Sequence, residues 1–479
     1  MRILLIRPYP ELHIARCLEH GFLHLEPLDL EIVAGGVPED DTVTILDLSL
    51  EKHPVETFRE QIKTLRPDIT GFTGYSSHAR QVRLLAQITK DVHPESLTVV
   101  GGIHATIAAV DYKTDAIDVI VRGEGGTVLA EILRRLKNGE SPAFGDAVLS
   151  TKDPDFEEKA KLPPPAYPDF SSIPAPRRDL VSRSRYFSVW TPDSASELKT
   201  MFPIVATVRT SVGCAFKCSF CVVHHLMSGK YIQRTPEDVV EELAGLEETN
   251  IYFVDDEMFL NADRARRMAE LIIERGIKKH YYSWARSDTI VRHPDLFKLW
   301  KKAGLGTLYV GLESMVDSQL EGFHKKIKAK TNQDAIDLLR ETGITLHGCF
   351  IVHPDFSVED FRSLEKNVLD LCPAEVTFTV LSPSPGTEIW NNQKADFICD
   401  PYYFYDCMHS LLPTRLPLKR FYAHFSRLTQ LALRANPLRV NKIRIPFRDV
   451  LRAIVVGTRY IFALRAIYKD YGTSGEFDR

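Results

Sequence analysis

At 479 residues, 44% of them hydrophobic and 26% charged, the chain is long enough for more than one packing unit and has an ordinary globular composition. The eight cysteines are too scattered for a disulfide framework and imply a reducing cytoplasm; the opening apolar run is too short for a signal peptide, and no uninterrupted apolar segment is long enough for a membrane-spanning helix. The net charge of −4 is uneven, since between residues 414 and 469 thirteen Lys or Arg face one acid, Asp449, a bias that points to an anionic surface, membrane or nucleic acid.

Through residues 1–140 short apolar runs at 3–6, 42–46, 69–73, 97–100 and 117–121 alternate with helical patterns at 54–65, 79–92 and 127–136. That alternation predicts a doubly wound parallel sheet covered on both faces, whose ligands bind off the carboxyl ends of the strands. Those ends carry Gly74, Tyr75 and Ser76, then Gly101, Gly102 and His104, then Gly123, Glu124 and Gly125. Glycines there serve close backbone approach to a ligand or simply turn geometry. Residues 141–200 hold Pro163, Pro164, Pro165, Pro168, Pro174 and Pro176, which favour extended chain and mark a linker.

From 201 to 390 strand and helix patterns alternate again, about six β/α units, which suits a partial barrel open on one side with its chemistry at the strand ends. The loop after its first strand holds Cys214, Cys218 and Cys221. Three thiols so spaced can converge on one inorganic centre and leave a coordination position without a protein ligand. A zinc site completed by His224 or His225, or plain buried cysteines, are the other readings of the spacing. Asp255, Asp256 and Glu257 follow the next strand, where carboxylates can hold an ammonium or ribose hydroxyls or form a solvated turn. Arg286 offers a bidentate fork for a carboxylate, and Glu313 ends a further strand; for both, a structural salt bridge is the other reading.

With Phe220 before the last thiol, the motif resembles C-x-x-x-C-x-aromatic-C of the radical S-adenosylmethionine (SAM) superfamily. The resemblance implies a [4Fe–4S] cluster on the three cysteines, SAM on the open iron, and Phe220 against its adenine. It implies further SAM contacts from Asp255, Asp256, Glu257, Arg286 and Glu313. The strings around His104 (G-G-x-H-A-T) and Glu124 (R-G-E-G) look like the cobalamin-binding domain that precedes many such cores. The stretch after the first strand, Pro8 to Leu12, departs from the D-x-H-x-x-G of histidine-ligated members, so cobalamin is expected without a histidine ligand. Tyr75 or Ser76 then lies near its lower face, and His104 serves as a hydrogen-bonding loop residue.

The last region, 391–479, is expected to be basic and mainly helical. Its aromatic run 401–405 reads as a lid, a substrate wall or plain core. Arg448, Arg452 and Arg459 fall on one side of a helical wheel, with Leu451, Ile454, Val455, Ile461 and Phe462 opposite; such a helix lies in a membrane interface or docks with a solvated basic edge. The layout resembles hopanoid C-3 methylases, which implies C-methylation of an isoprenoid lipid at an unactivated sp³ carbon. It also implies a flavodoxin- or ferredoxin-like electron donor and a cytoplasmic protein with peripheral contact at the inner face of the membrane. A cobalamin-dependent cyclase or oxidase acting on a tetrapyrrole shares the same cofactors. A zinc-stabilised membrane- or RNA-binding protein is the alternative outside enzymology, though nucleic acid is not expected because no RNA-binding signature is present.

Overall fold

The computed structural model describes residues 1–21, 23–188, 204–371, 375–435 and 447–472. Its first sheet consists of β1 (Arg2–Arg7), β2 (Thr42–Asp47), β3 (Ile69–Phe72), β4 (Leu97–Val100), β5 (Val119–Val121) and β6 (Val148–Ser150). They lie in the order β2-β1-β3-β4-β5-β6, and every neighbour is parallel except β6 on β5. Along β1, Leu4 and Ile6 pack on one face with Phe58 and Leu85, while Ile3 and Leu5 pack on the other with Leu30 and Ile132. Burial of both faces is why β1 reads as an unbroken apolar run. The chain runs from β1 to β2 on one side and crosses to β3 on the other, so a crevice opens outside the carboxyl ends of β1 and β3. Strand β6 lies within the Pro-rich stretch; three residues without alternation carry no readable strand signal.

The second sheet contains β7 (Val205–Val208), β8 (Asn250–Phe253), β9 (His280–Ala285), β10 (Leu305–Glu313), β11 (Thr345–Val352) and β12 (Glu375–Val380), paired in sequence and all parallel. Among the described residues β12 and β7 do not pair, so this is an open, six-stranded partial barrel. Outward residues such as Ile251, Phe253, Leu308 and Val310 pack on the surrounding helices. Inward aromatics stack on one another, Trp284 on Tyr309 at 5.1 Å and Tyr309 on His347 at 4.7 Å, and the Trp284 indole donates to the Tyr252 hydroxyl at 2.7 Å. The chain is thus α/β throughout, with a helical region after the barrel.

Two arginines of the connecting segment tie the sheets together. Arg178 donates to Glu26 Oε1, to the Thr207 carbonyl and to Glu242 Oε1, each at 2.7 Å. Arg183 pairs with Glu26 and donates to Glu248 Oε1 at 2.7 Å. Glu26 also accepts from the Thr207 hydroxyl at 2.7 Å, so one buried carboxylate of the first unit holds the first barrel strand directly.

Helices Leu418–Ala435 and Phe447–Ala466 dock on the barrel, burying Phe421, Tyr422, Phe425, Leu464 and Ile467. Helix His13–Gly21, which follows β1, packs on Phe447–Ala466, and Leu12 and Ile14 bury in the barrel core. The aromatic run 401–405 fills the seam between the units. Phe404 is fully buried and stacks on Tyr471 at 5.3 Å, Tyr402 sits edge-on to His104 at 4.8 Å, and the Arg80 guanidinium lies 4.8 Å from the Tyr403 ring. The Leu451, Arg448 and Arg452 side chains of the predicted amphipathic helix lie outside the described residues. Among the described residues no helix is long and apolar enough to cross a membrane.

Glu31 sits beside this ionic junction without a hydrogen bond of its own, 3.7 Å from each of Arg178 and Arg183. Burial outweighs that attraction and pushes its carboxyl from 4.5 up to about 7. A folded pKa above the unfolded one means that stability is lost as pH rises from about 4.5 to about 7. The Glu31→Gln variant should therefore melt close to the wild type at pH 5 and above it at pH 8, by an amount on the order of 1–3 kcal/mol. Equal melting temperatures at pH 8 would show that Glu31 is ionised and paired.

Candidate functional site

The loop bearing the three thiols is closed at its base by a two-stranded ladder, Ser211–Gly213 against Tyr231–Gln233. Gly213 has φ +94°, and a Cβ there would lie 2.1 Å from the Lys230 carbonyl oxygen, so only glycine allows this closure. Within the loop the Cys221 amide donates to the Cys218 carbonyl at 3.1 Å. The Ser219 amide donates to the Phe323 carbonyl at 3.1 Å and the Ser219 hydroxyl to the Gly322 carbonyl at 3.2 Å. Cys218 and Cys221 line a cavity of 240 Å³ with Lys217, His224, His225 and Glu388. Burial pushes the thiol of Cys214 up to about 11 and that of Cys221 up to about 12. The protein itself does little to stabilise thiolates there, and the compensating positive charge is what bound iron would bring. Among the described residues no three His, Cys, Asp or Glu side chains are placed to hold one metal ion. A multinuclear cluster, whose thiolates bind different irons, does not impose that condition. A larger cleft of 420 Å³, lined by Tyr9, Arg16 and Lys52, lies off β1 and β2 instead.

The three acids after β8 have separate places. Asp255 accepts from the Thr210 amide at 2.6 Å, from the Thr210 hydroxyl and from the Ser211 hydroxyl at 2.9 Å, so its carboxylate fixes the entry to the thiol loop. Asp256 accepts from the Gly213 amide at 2.8 Å. Glu257 accepts from the Arg286 amide at 2.7 Å with one oxygen, while its other oxygen is buried without a partner. Burial pushes Glu257 up to about 8 despite the nearby charges of Arg286 and Lys325.

Arg286 is committed within the protein. Its Nε donates to Asp288 at 2.9 Å and one Nη to the Lys325 carbonyl at 2.9 Å, the other Nη lies 3.7 Å from Cys218 Sγ, and the guanidinium covers the Phe216 ring at 3.6 Å. Glu313, at φ +59°, is bonded to Lys325 Nζ at 2.6 Å. Sequence reading missed Lys325, which is 4% exposed and also donates to the Gly311 carbonyl at 2.7 Å. A Cβ on Gly311 would lie 2.4 Å from Glu313 Oε1 and 2.9 Å from Lys325 Nζ; a glycine two residues before Glu313 was the only readable trace of the pair. Phe220 meets Phe323 edge-on at 5.5 Å.

On the first sheet, Tyr75 stands 59% exposed in the loop after β3. Ser76 Oγ bonds to His104 Nδ1 at 3.2 Å, and His104 Nε2 lies 3.3 Å from Asp111. His104 is fully buried between Tyr112 and Tyr402, so both its nitrogens face protein groups. Gly101 donates its amide to the Phe72 carbonyl at 2.8 Å, which joins the β3 and β4 ends. Gly102, at φ +91°, lets Gly74 come close: a Cβ would lie 2.9 Å from the Gly74 nitrogen. The Gly123 amide donates to the Thr106 hydroxyl at 2.9 Å, Glu124 accepts from the Gly126 amide at 3.1 Å, and Gly125 packs under Val33. The two candidate regions adjoin: helix Val223–Leu226, directly after the thiol loop, touches helix Ile103–Ile107, directly after Gly102.

Comparison with known proteins accounts for that juxtaposition. The radical SAM superfamily model matches residues 208–367 and the B12 binding domain model residues 22–133. The chain belongs to the cobalamin-dependent radical SAM methylases, enzymes whose cofactors are a [4Fe–4S] cluster, SAM and cobalamin. It is 31% identical to hopanoid C-3 methylase of Methylococcus capsulatus over 90% of this chain and 80% of that protein. It is 27% identical to anaerobic magnesium-protoporphyrin IX monomethyl ester cyclase of Rubrivivax gelatinosus over 74% of this chain and 63% of that one. In fold it is similar to the radical SAM methyltransferase TsrM of Kitasatospora setae, with a TM-score of 0.64 and 16% identity over 98% of this chain and 99% of that one.

The buried Lys325–Glu313 pair can be tested without cofactors. Lys325→Met leaves a buried carboxylate unpaired and should lower stability by about 3 kcal/mol in a thermal melt. Adding Glu313→Gln should recover most of that loss; a double variant as unstable as the sum of the singles would show that the two do not interact.

Proposed function

We propose that this enzyme methylates an unactivated sp³ carbon of a hopanoid-type isoprenoid lipid. The observation that carries the reading is the 31% identity to a hopanoid C-3 methylase over 90% of the chain. A tetrapyrrole cyclase is the second reading, favoured by the cyclase relative at 27% identity, which aligns over less of both chains.

In this reading Cys214, Cys218 and Cys221 hold the cluster, and the half-buried loop and its cavity support that assignment. Glu257 offers its unpartnered oxygen to the ammonium of SAM, a cation that would bring its pKa back down. Glu313, held by Lys325 through one oxygen, would use the other for ribose or methionine groups of SAM, and Phe220 would serve its adenine. Asp255 and Asp256 act on the site by shaping the loop, and Arg286 braces Cys218 and the Lys325 backbone. Gly74, Tyr75, Ser76, Gly101, Gly102 and the Gly123–Gly125 turn, at the carboxyl ends of the first sheet, would hold cobalamin. When bound, the cluster with SAM supplies hydrogen abstraction from the unactivated carbon, and cobalamin supplies the methyl group. The chain's own part is to orient these groups and to keep water from the seam, which Tyr402 and Phe404 fill. Residues 1–140, 141–200, 201–390 and 391–479 serve as cobalamin unit, linker, catalytic barrel and basic helical region. A flavodoxin- or ferredoxin-like protein donates the electron, and the enzyme works in the cytoplasm at the inner face of the membrane.

Anaerobically reconstituted enzyme should carry about four irons per chain, and the Cys214→Ala/Cys218→Ala/Cys221→Ala variant should carry none. In a hopanoid-producing bacterial host the wild type should yield a hopanoid heavier by one methylene and the triple variant none. Unchanged hopanoids alongside a full iron and corrinoid load would reject the lipid substrate and leave another methyl acceptor or the cyclase. Glu257→Gln should keep its iron yet bind SAM roughly tenfold or more weakly by equilibrium dialysis, the loss expected for a charge-assisted bond made neutral; unaltered binding would remove Glu257 from the SAM site.

A further inference from the structure

Helix Phe447–Ala466 has a buried side that is fully accounted for. Leu464 is 1% exposed, Tyr460 and Ala463 pack on the barrel core, and Ile467 just beyond the helix is buried with them. Its outer side is not what a solvated helix presents. Ile454 is 58% exposed, Val455 50% and Phe462 65%. At 3.6 residues per turn these three fall within about 100° of one another, with Arg465 inside that arc near Ile454; Arg459, expected opposite Val455 and Phe462, instead lies about 40° beyond Val455. Arg459, Arg465 and Lys469 are all exposed. Other exposed large apolar side chains are scattered singly: no other described element carries more than one. Isolated exposed apolar residues are ordinary, whereas three on one helix face make a patch that asks for a partner.

Charge selects among the occupants. The stretch from 414 to 469 carries thirteen Lys or Arg against Asp449 alone. Of the acids nearby, Asp470 is turned toward His409, its Oδ2 3.2 Å from His409 Nε2, and Glu365 is engaged by Arg427 at 3.0 Å. A second copy of the same face would set like charges against one another around a small apolar centre. A bilayer of anionic lipids meets both features at once: acyl chains accept Ile454, Val455 and Phe462, and headgroup phosphates accept the flanking cations. We infer that the outer face of helix Phe447–Ala466 is a peripheral membrane-binding surface that seats this enzyme on anionic lipid. The inference concerns this surface and holds whether the substrate is a lipid or a tetrapyrrole.

The test is co-sedimentation of the full-length reconstituted enzyme with vesicles of phosphatidylglycerol and of phosphatidylcholine, neither containing hopanoid, so that it is independent of methylation. Partitioning should be roughly tenfold or more stronger on the anionic vesicles, as two or three interfacial cations imply, and should weaken as salt is raised. Ile454→Glu/Phe462→Glu and, separately, Arg459→Glu/Arg465→Glu should each abolish the preference. Both sites are exposed, and unchanged iron content and melting temperature would certify the fold. Absence of wild-type binding to either vesicle overturns the inference, as does anionic binding that survives both double variants. Concentration-dependent self-association lost in Ile454→Glu/Phe462→Glu, without vesicle binding, would overturn it in favour of an interface between copies.

Discussion

The arrangement of this molecule depends on one buried carboxylate. Glu26 belongs to the first unit, yet it accepts hydrogen bonds from the first strand of the barrel and pairs with both Arg178 and Arg183 of the connector. Isolated in a protein interior, such a charge would be costly; with two guanidinium groups and a backbone edge around it, it becomes a fixed point between sheets. The relative setting of the sheets decides whether the loops at their carboxyl ends meet. They do meet, through the helices Val223–Leu226 and Ile103–Ile107, and on that meeting rests any reaction in which groups held by the two units must touch.

The barrel end of that meeting is built by tension between burial and pairing. Asp255 and Asp256 are buried acids satisfied by backbone and hydroxyl donors, so they act as internal braces. Glu257 is buried beside them and half satisfied. Glu313 takes a left-handed backbone conformation at a register shift of β10, and Lys325 holds its side chain there. Adjacent residues of like chemistry thus divide into structure and ligand capture according to what lies around them.

Much of this was legible in the sequence. Alternating apolar runs and helical patterns marked both sheets because burial on two faces leaves the interior of strands such as β1, Ile3 to Ile6, unbroken in apolar residues. The thiol spacing and the glycines at the strand ends drew attention to loops that the fold brings to one seam. What was not legible depends on long-range partners. Arg178 and Lys325 stand in stretches with no periodic signal, and their importance comes from Glu26 and Glu313, far or folded away in sequence. Of the two readings of Arg286, a fork for a ligand or a structural salt bridge, and of the readings of the run 401–405 as lid, substrate wall or core, the sequence could not choose; Asp288, the Lys325 carbonyl and His104 are the distant partners that show bridging and core packing.

The contact between helix His13–Gly21 and helix Phe447–Ala466 bears on the order in which the protein is made. Leu12 and Ile14 lie ahead of the barrel in the chain, yet the barrel supplies their packing partners. Domains that seal one after another as they leave the ribosome do not face this wait. Here the first unit keeps an uncovered apolar edge until the barrel that follows it has folded, so the two units close in one step and not in turn.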